Sequence, residues 1–144
     1  MESRRAEASG RSATTRWLIA AGVVVTALAV WFLTRPARQR AKARHDVEVL
    51  ALALDGYARE QGEYPHGECA QICRLLLGET IGSQNPRKLD YVEASAYEIN
   101  ASGEFVDPWG AAYRISFSPI LRVYSCGPNR VDEQGVGDDI ATGN

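Results

Sequence analysis

Three rhythms of apolar and polar positions follow one another along the chain. Residues 17–33, WLIAAGVVVTALAVWFL, hold no charge and no proline, and at 1.5 Å per helical residue they extend about 25 Å, the short end of a membrane crossing. Beyond them Val47, Leu50, Leu54 and Tyr57 recur at spacings of three, four and three. That places them on one helix face, with Ala51 and Ala58 widening the stripe. Arg44, Asp46, Glu48, Asp55 and Arg59 fall largely outside it. Pro36 is expected to kink or break this rod near the membrane boundary. Gly62 and Pro65 are expected to end it, with Tyr64 available to pack back on the stripe.

A second, shorter helix is predicted over residues 69–82, CAQICRLLLGETIG, with Ile72, Leu75 and Leu76 on its buried side and Gly78 close to its end. SQNPRK, residues 83–88, reads as a loop. The period then falls toward two, in YEIN, in AAYRISF with Tyr113, Ile115 and Phe117 alternating, and in ILRVYS. In that last run Leu121, Val123 and Ser125 alternate against Ile120, Arg122 and Tyr124. Ser118-Pro119 is a turn signal between two antiparallel neighbours. The predicted class is α+β: a membrane helix continuing into a long amphipathic helix packed on a small antiparallel sheet. It divides the chain into a basic N-terminal segment 1–16, a transmembrane helix 17–34 and a globular domain 35–144.

Charge sharpens this division. Residues 1–44 hold nine basic and two acidic side chains, a balance of +7, whereas residues 45–144 carry −9. A domain this acidic argues against nucleic acid as a partner. The span itself has Trp17 and Trp31 toward its ends, which suit the headgroup interfaces. A secretory signal peptide is the rival reading, because Arg4, Arg5, Arg11 and Arg16 form a basic lead-in. The residues after Leu33 are Thr-Arg-Pro-Ala-Arg, with no small-x-small cleavage pattern, so a retained anchor is expected. Arginines and a lysine flank both ends of the run, so loop charge does not decide its orientation.

Candidate chemistry is sparse. Cys69, Cys73 and Cys126 permit one disulfide and a leftover thiol. HGECAQIC, from His66 to Cys73, could be a fragment of a zinc site, with Cys126 or His45 as a distant fourth ligand. Catalysis is not expected, because Ser125-Cys126-Gly127 lacks the surroundings of a nucleophile elbow and neither histidine has an evident acidic orienter. Asp107-Pro108-Trp109-Gly110 reads as a structural turn that offers Trp109 to the stripe of the first helix. The C-terminal stretch SCGPNRVDEQGVGDDIA, residues 125–141, crowds Asp132, Glu133, Asp138 and Asp139 among glycines. It is either a solvated tail or a loop that surrounds an ion, for which calcium, with its six to eight oxygen ligands, suits the composition.

Several of these pieces fall in a familiar order. ALALDGYAREQGEYP, then VDPWGAAYRIS, then YSCGPN followed by GDDI, resemble the soluble domain of the major pseudopilin of type II secretion, the G subunit, over residues 43–141. In that family a long helix ends in a Gly-x-Tyr-Pro element, an Asp-Pro-Trp-Gly turn opens a small sheet, and an acidic C-terminal loop binds calcium. The resemblance implies a calcium role for Asp138 and Asp139, then for Asn129, where the family commonly has aspartate, and Asp132, with Ser125 contributing from the strand end. It also implies a structural subunit, anchored once in the inner membrane with its domain in the periplasm. Copies would join through their N-terminal helices into the short fibre that pushes folded proteins outward, with other pseudopilins and secretion-system membrane proteins as partners. The family's apolar run opens on Phe-Thr-Leu-Ile-Glu, whose glutamate guides assembly. Here it opens Trp17-Leu18-Ile19-Ala20 and contains no glutamate. A second reading therefore stands beside the first: a membrane-tethered accessory or binding module that keeps the fold and does not polymerise.

Overall fold

The computed structural model describes residues 3–143, with side chains from Trp17 onward, so the basic segment 1–16 lies outside the described side chains. The chain divides into two units, Met1–Arg38 and Gln39–Asn144. Helix α1 runs without interruption from Ser3 to Gln61. Pro36 lies inside it and neither breaks nor ends it. A proline removes one ladder hydrogen bond, and the intact turns on both sides outweigh that loss.

In the first unit every side chain from Trp17 to Leu33 is exposed. This is the one stretch among the described residues long and apolar enough to cross a membrane, by length and composition. Thr26 within this stretch donates its hydroxyl to Gly22 O at 3.0 Å, and Thr34 just past it donates to Val30 O at 2.8 Å.

The second unit is built on the predicted stripe. Val47, Leu50, Leu54 and Tyr57 are all buried to within 1% of fully, and Ala53 joins them, while Ala51 and Ala58 stay only partly covered. Asp46 departs from expectation. It lies on the buried side at 4% exposure, where its Oδ2 accepts the Tyr113 hydroxyl and the Lys42 ammonium, both at 2.7 Å. A buried carboxylate is tolerated when donors of this kind surround it. Burial, together with that bond to Asp46, pushes the Tyr113 hydroxyl far up from the usual phenol range.

Helix α2 covers Cys69–Leu76, shorter than the run read from the pattern. Its start is a capping box in which Glu68 and Gln71 exchange side-chain and backbone bonds. Ile72, Leu75 and Leu76 are buried as expected, and Cys73 with them. The helix stops at Gly78, whose φ of +87° lets Gly78 N–H and Glu79 N–H fold back on Leu75 O and Arg74 O at 3.1 and 3.0 Å, while the buried Asn85 amide also donates to Leu75 O at 3.2 Å. Those carbonyls are then satisfied without a further turn.

The strands are short and form two sheets. β1 (Glu98–Ile99) pairs antiparallel with β2 (Phe105–Val106). β3 (Arg114–Ser116), β4 (Arg122–Ser125) and β5 (Ile140–Ala141) make a second antiparallel sheet in that order. Ser118-Pro119 falls between β3 and β4, which are antiparallel neighbours in the register Ile115 opposite Val123. One core joins α1 and α2 to Tyr97, Phe105, Tyr113 and Val123. Tyr64 packs against this core, its ring 5.2 Å from Phe117 and its hydroxyl donating to Asp55 at 2.7 Å.

Trp109 is a correction. It is only half-buried and is not part of the core, where Phe105 and Tyr113 fill the space expected for it. The turn that carries it is organised by Asp107, 2% exposed, whose Oδ1 accepts the N–H groups of Trp109 and Ala111, each at 2.9 Å. Backbone bonding to a buried carboxylate, not aromatic burial, holds this turn.

Candidate metal centre

The acidic segment is neither a loose tail nor loop throughout. β5 pairs back on the end of β4, Tyr124 opposite Ala141 and Ser125 opposite Ile140, so both ends of the segment are held in the sheet. That pairing brings Asp138 and Asp139 back to the mouth of the loop. Gly127, at φ +66°, is needed there: a Cβ would collide with the backbone carbonyl of Asp138. Gly137, at φ +63°, also takes a conformation that favours glycine, with the Glu133 carboxylate close beside it.

Within this frame carboxylate oxygens of Glu133, Asp138 and Asp139 come within 4.8 Å of one another. Asp139 is 7% exposed. Its Oδ2 accepts the N–H groups of Glu133 and Gly135 at 3.1 and 2.8 Å, but its buried Oδ1 has no hydrogen-bond partner among the described residues. Asp138 accepts from the backbone N–H of Asn129 at 3.2 Å and from the Asn129 side-chain amide, and Glu133 Oε2 accepts Asp138 N–H at 3.0 Å.

The predicted residues separate into two groups. Asp138, Asp139 and, through its bond to Asp138, Asn129 are gathered at the loop mouth, although the Asn129 amide acts there as a donor and its Oδ1 takes Val131 N–H at 2.6 Å. Asp132 and Ser125 face other partners. Asp132 accepts the Tyr124 hydroxyl at 3.0 Å and pairs with Arg114 at 3.4 Å. Burial and then the bond to Asp132 push the Tyr124 hydroxyl up to about 12. Ser125, fully buried, donates to Asp107 at 2.6 Å and accepts Gly127 N–H at 3.0 Å. Glu133 was absent from the expected set, and nothing in the sequence separates it from the acids around it.

The donor set decides which ion fits. Three carboxylates this close repel one another, and an unpartnered buried carboxylate oxygen is costly. A divalent cation meets both demands, and a set made only of oxygens suits a hard ion such as calcium better than zinc or copper. The zinc reading of HGECAQIC finds no such gathering among the described residues: His66 is exposed and lies 3.3 Å from Glu63.

Comparison with protein-family models, with curated proteins and with solved structures finds no match for this chain.

Proposed function

We propose that the chain is a membrane-anchored structural subunit of the pseudopilin kind. It assists protein export from the periplasmic face of the inner membrane, catalyses no reaction, and has a C-terminal loop ordered by calcium. The observation that carries this reading is the composition of α1. One helix presents an exposed apolar stretch over residues 17–33 and, farther along, a stripe wholly buried in a globular core. Such a helix anchors a domain to lipid and gives neighbouring copies, or other pseudopilins, an apolar surface to pack against. The resemblance over residues 43–141 and the acidic triad at the loop mouth support the same reading.

A second reading rests on the missing carboxylate. No glutamate stands anywhere in residues 17–33, and an apolar helix without one lacks the charge that guides fibre assembly in that family. In this reading the domain is a tethered accessory module. Chemical cross-linking of the full-length protein in its native membrane separates the two. A fibre subunit gives a ladder of multiples of the chain mass, whereas a band at one copy, unchanged at higher reagent, contradicts the subunit reading and leaves the tethered module.

A further inference from the structure

The apolar stretch of α1 ends in an aromatic and cationic group that anchoring alone does not require. Trp31, Arg35 and Arg38 follow one another at spacings of four and three residues, so they share one face of the helix. The Arg35 guanidinium lies 5.2 Å from the centre of the Trp31 ring, a cation–π contact that orders a long side chain before any ligand arrives. Both arginines are exposed, and among the described residues no carboxylate pairs with either. No acid stands in residues 34–45, where Arg40, Lys42 and Arg44 continue the basic run.

Toward the N-terminus the same face continues as a shallow groove lined by Val23, Thr26, Ala27, Val30, Trp31 and Arg38. Apart from Arg38 its one polar side chain is Thr26, whose hydroxyl bonds back to Gly22 O and Val23 O at 3.0 and 2.9 Å. At 1.5 Å per residue the helix rises about 22 Å from Val23 to Arg38. That matches half of a bilayer counted with its headgroups, about 20 to 22 Å. A phospholipid has this length and this division, a phosphate at one end and acyl chains along the rest. The two arginines also select its charge. Guanidinium groups meet phosphate oxygens with paired N–H donors, and a zwitterionic headgroup would bring its own ammonium among them.

We infer that this face of α1 binds one anionic phospholipid. Arg35 and Arg38 hold its phosphate beside the Trp31 indole, and an acyl chain lies along Val30, Ala27 and Val23. The site rests on the anchor reading of residues 17–33, because a helix outside the bilayer meets no lipid. To that reading it adds a chemical preference, and it sets how deep the helix sits, since the bound phosphate keeps Arg35 and Arg38 at the headgroup level.

The test uses the full-length protein carrying Trp17→Phe and Trp109→Phe, which leaves Trp31 as the one indole. It is reconstituted at high lipid excess into phosphatidylcholine vesicles in which a varied fraction is brominated phosphatidylglycerol or brominated phosphatidylcholine. Bromine on an acyl chain quenches an indole that it touches. The expected result is that Trp31 is half-quenched at a fraction of the brominated anionic lipid about fivefold lower than of the neutral one. That preference falls as salt rises. Arg35→Gln combined with Arg38→Gln makes the two lipids equal, and glutamine keeps the helix intact. Flotation of the same vesicles checks the anchor separately. Protein that does not float contradicts the anchor reading and the site with it. Protein that floats but is quenched equally by both lipids, or keeps its preference in the double variant, overturns the site alone. Floating protein quenched by neither lipid overturns it too, and puts a second copy of the helix on this face.

Discussion

Replacing Asp107 with alanine lowers the stability of the globular unit by about 3 kcal/mol, read as a fall in the urea midpoint of the full-length protein in mild detergent. Three donors converge on this one buried carboxylate: the N–H groups of Trp109 and Ala111 on Oδ1, and the Ser125 hydroxyl on Oδ2. Alanine leaves all three without an acceptor in a place that water does not reach, and that desolvation is the larger part of the cost. The effect reaches the loop as well, because Ser125 in turn accepts Gly127 N–H at the turn where the acidic segment begins. Asp107→Asn keeps an oxygen for the two backbone donors and lets the Ser125 hydroxyl rotate, so its loss is about half as large. A midpoint that does not move in Asp107→Ala contradicts this account of the turn.

Asn85→Ala costs about 2 kcal/mol by the same measurement, for a different reason. The Asn85 amide donates to Leu75 O, Glu79 O and Leu89 O at 3.2, 3.3 and 3.0 Å, and its oxygen accepts Leu89 N–H at 2.9 Å. It therefore stands in for the backbone partners that the segment between α2 and β1 lacks. Its φ of +50° also favours asparagine over alanine. Asn85→Gly separates the two effects: it relieves the dihedral but removes the bonds, and a loss close to that of alanine assigns the energy to the bonds. Recovery of wild-type stability in Asn85→Gly contradicts that assignment.

Much of the long-range plan was legible because it is written in periodicity. The stripe from Val47 to Tyr57 is a local signal, and so is the period of two that puts Tyr113 and Val123 in the core, with Ile115 against it. β4, by contrast, is buried continuously from Val123 to Ser125, so Tyr124 breaks the expected alternation. The features that were not legible depend on residues far apart in the chain. Asp46 looks like a surface charge until Tyr113, 67 positions away, brings it a hydroxyl. β2 and β5 span two residues each, too few to show a period, and β5 lies directly after two aspartates that invite a loop reading. Trp109 was expected in the core because large aromatic side chains usually are, whereas the turn's energy resides in the carboxylate two residues before it.

The site shows the same division. Asp138 and Asp139 were expected from the resemblance over residues 43–141, and the return of β5 explains why they meet. Glu133 enters only because Asp138 N–H bonds its side chain and the loop closes on it, and Asp132 leaves because Tyr124 and Arg114 take it first. Acid count alone does not distinguish these roles.

The most direct test of the account is the thermal midpoint of the full-length protein in mild detergent, measured in EDTA and again in millimolar calcium. A cation enclosed by Glu133, Asp138 and Asp139 binds the folded chain and not the unfolded one, so calcium raises the midpoint by about 5 °C or more. Asp139→Asn, which neutralises the buried carboxylate with the unpartnered oxygen, removes most of that rise. A midpoint that is the same in EDTA and in calcium contradicts the claim that an ion completes this loop.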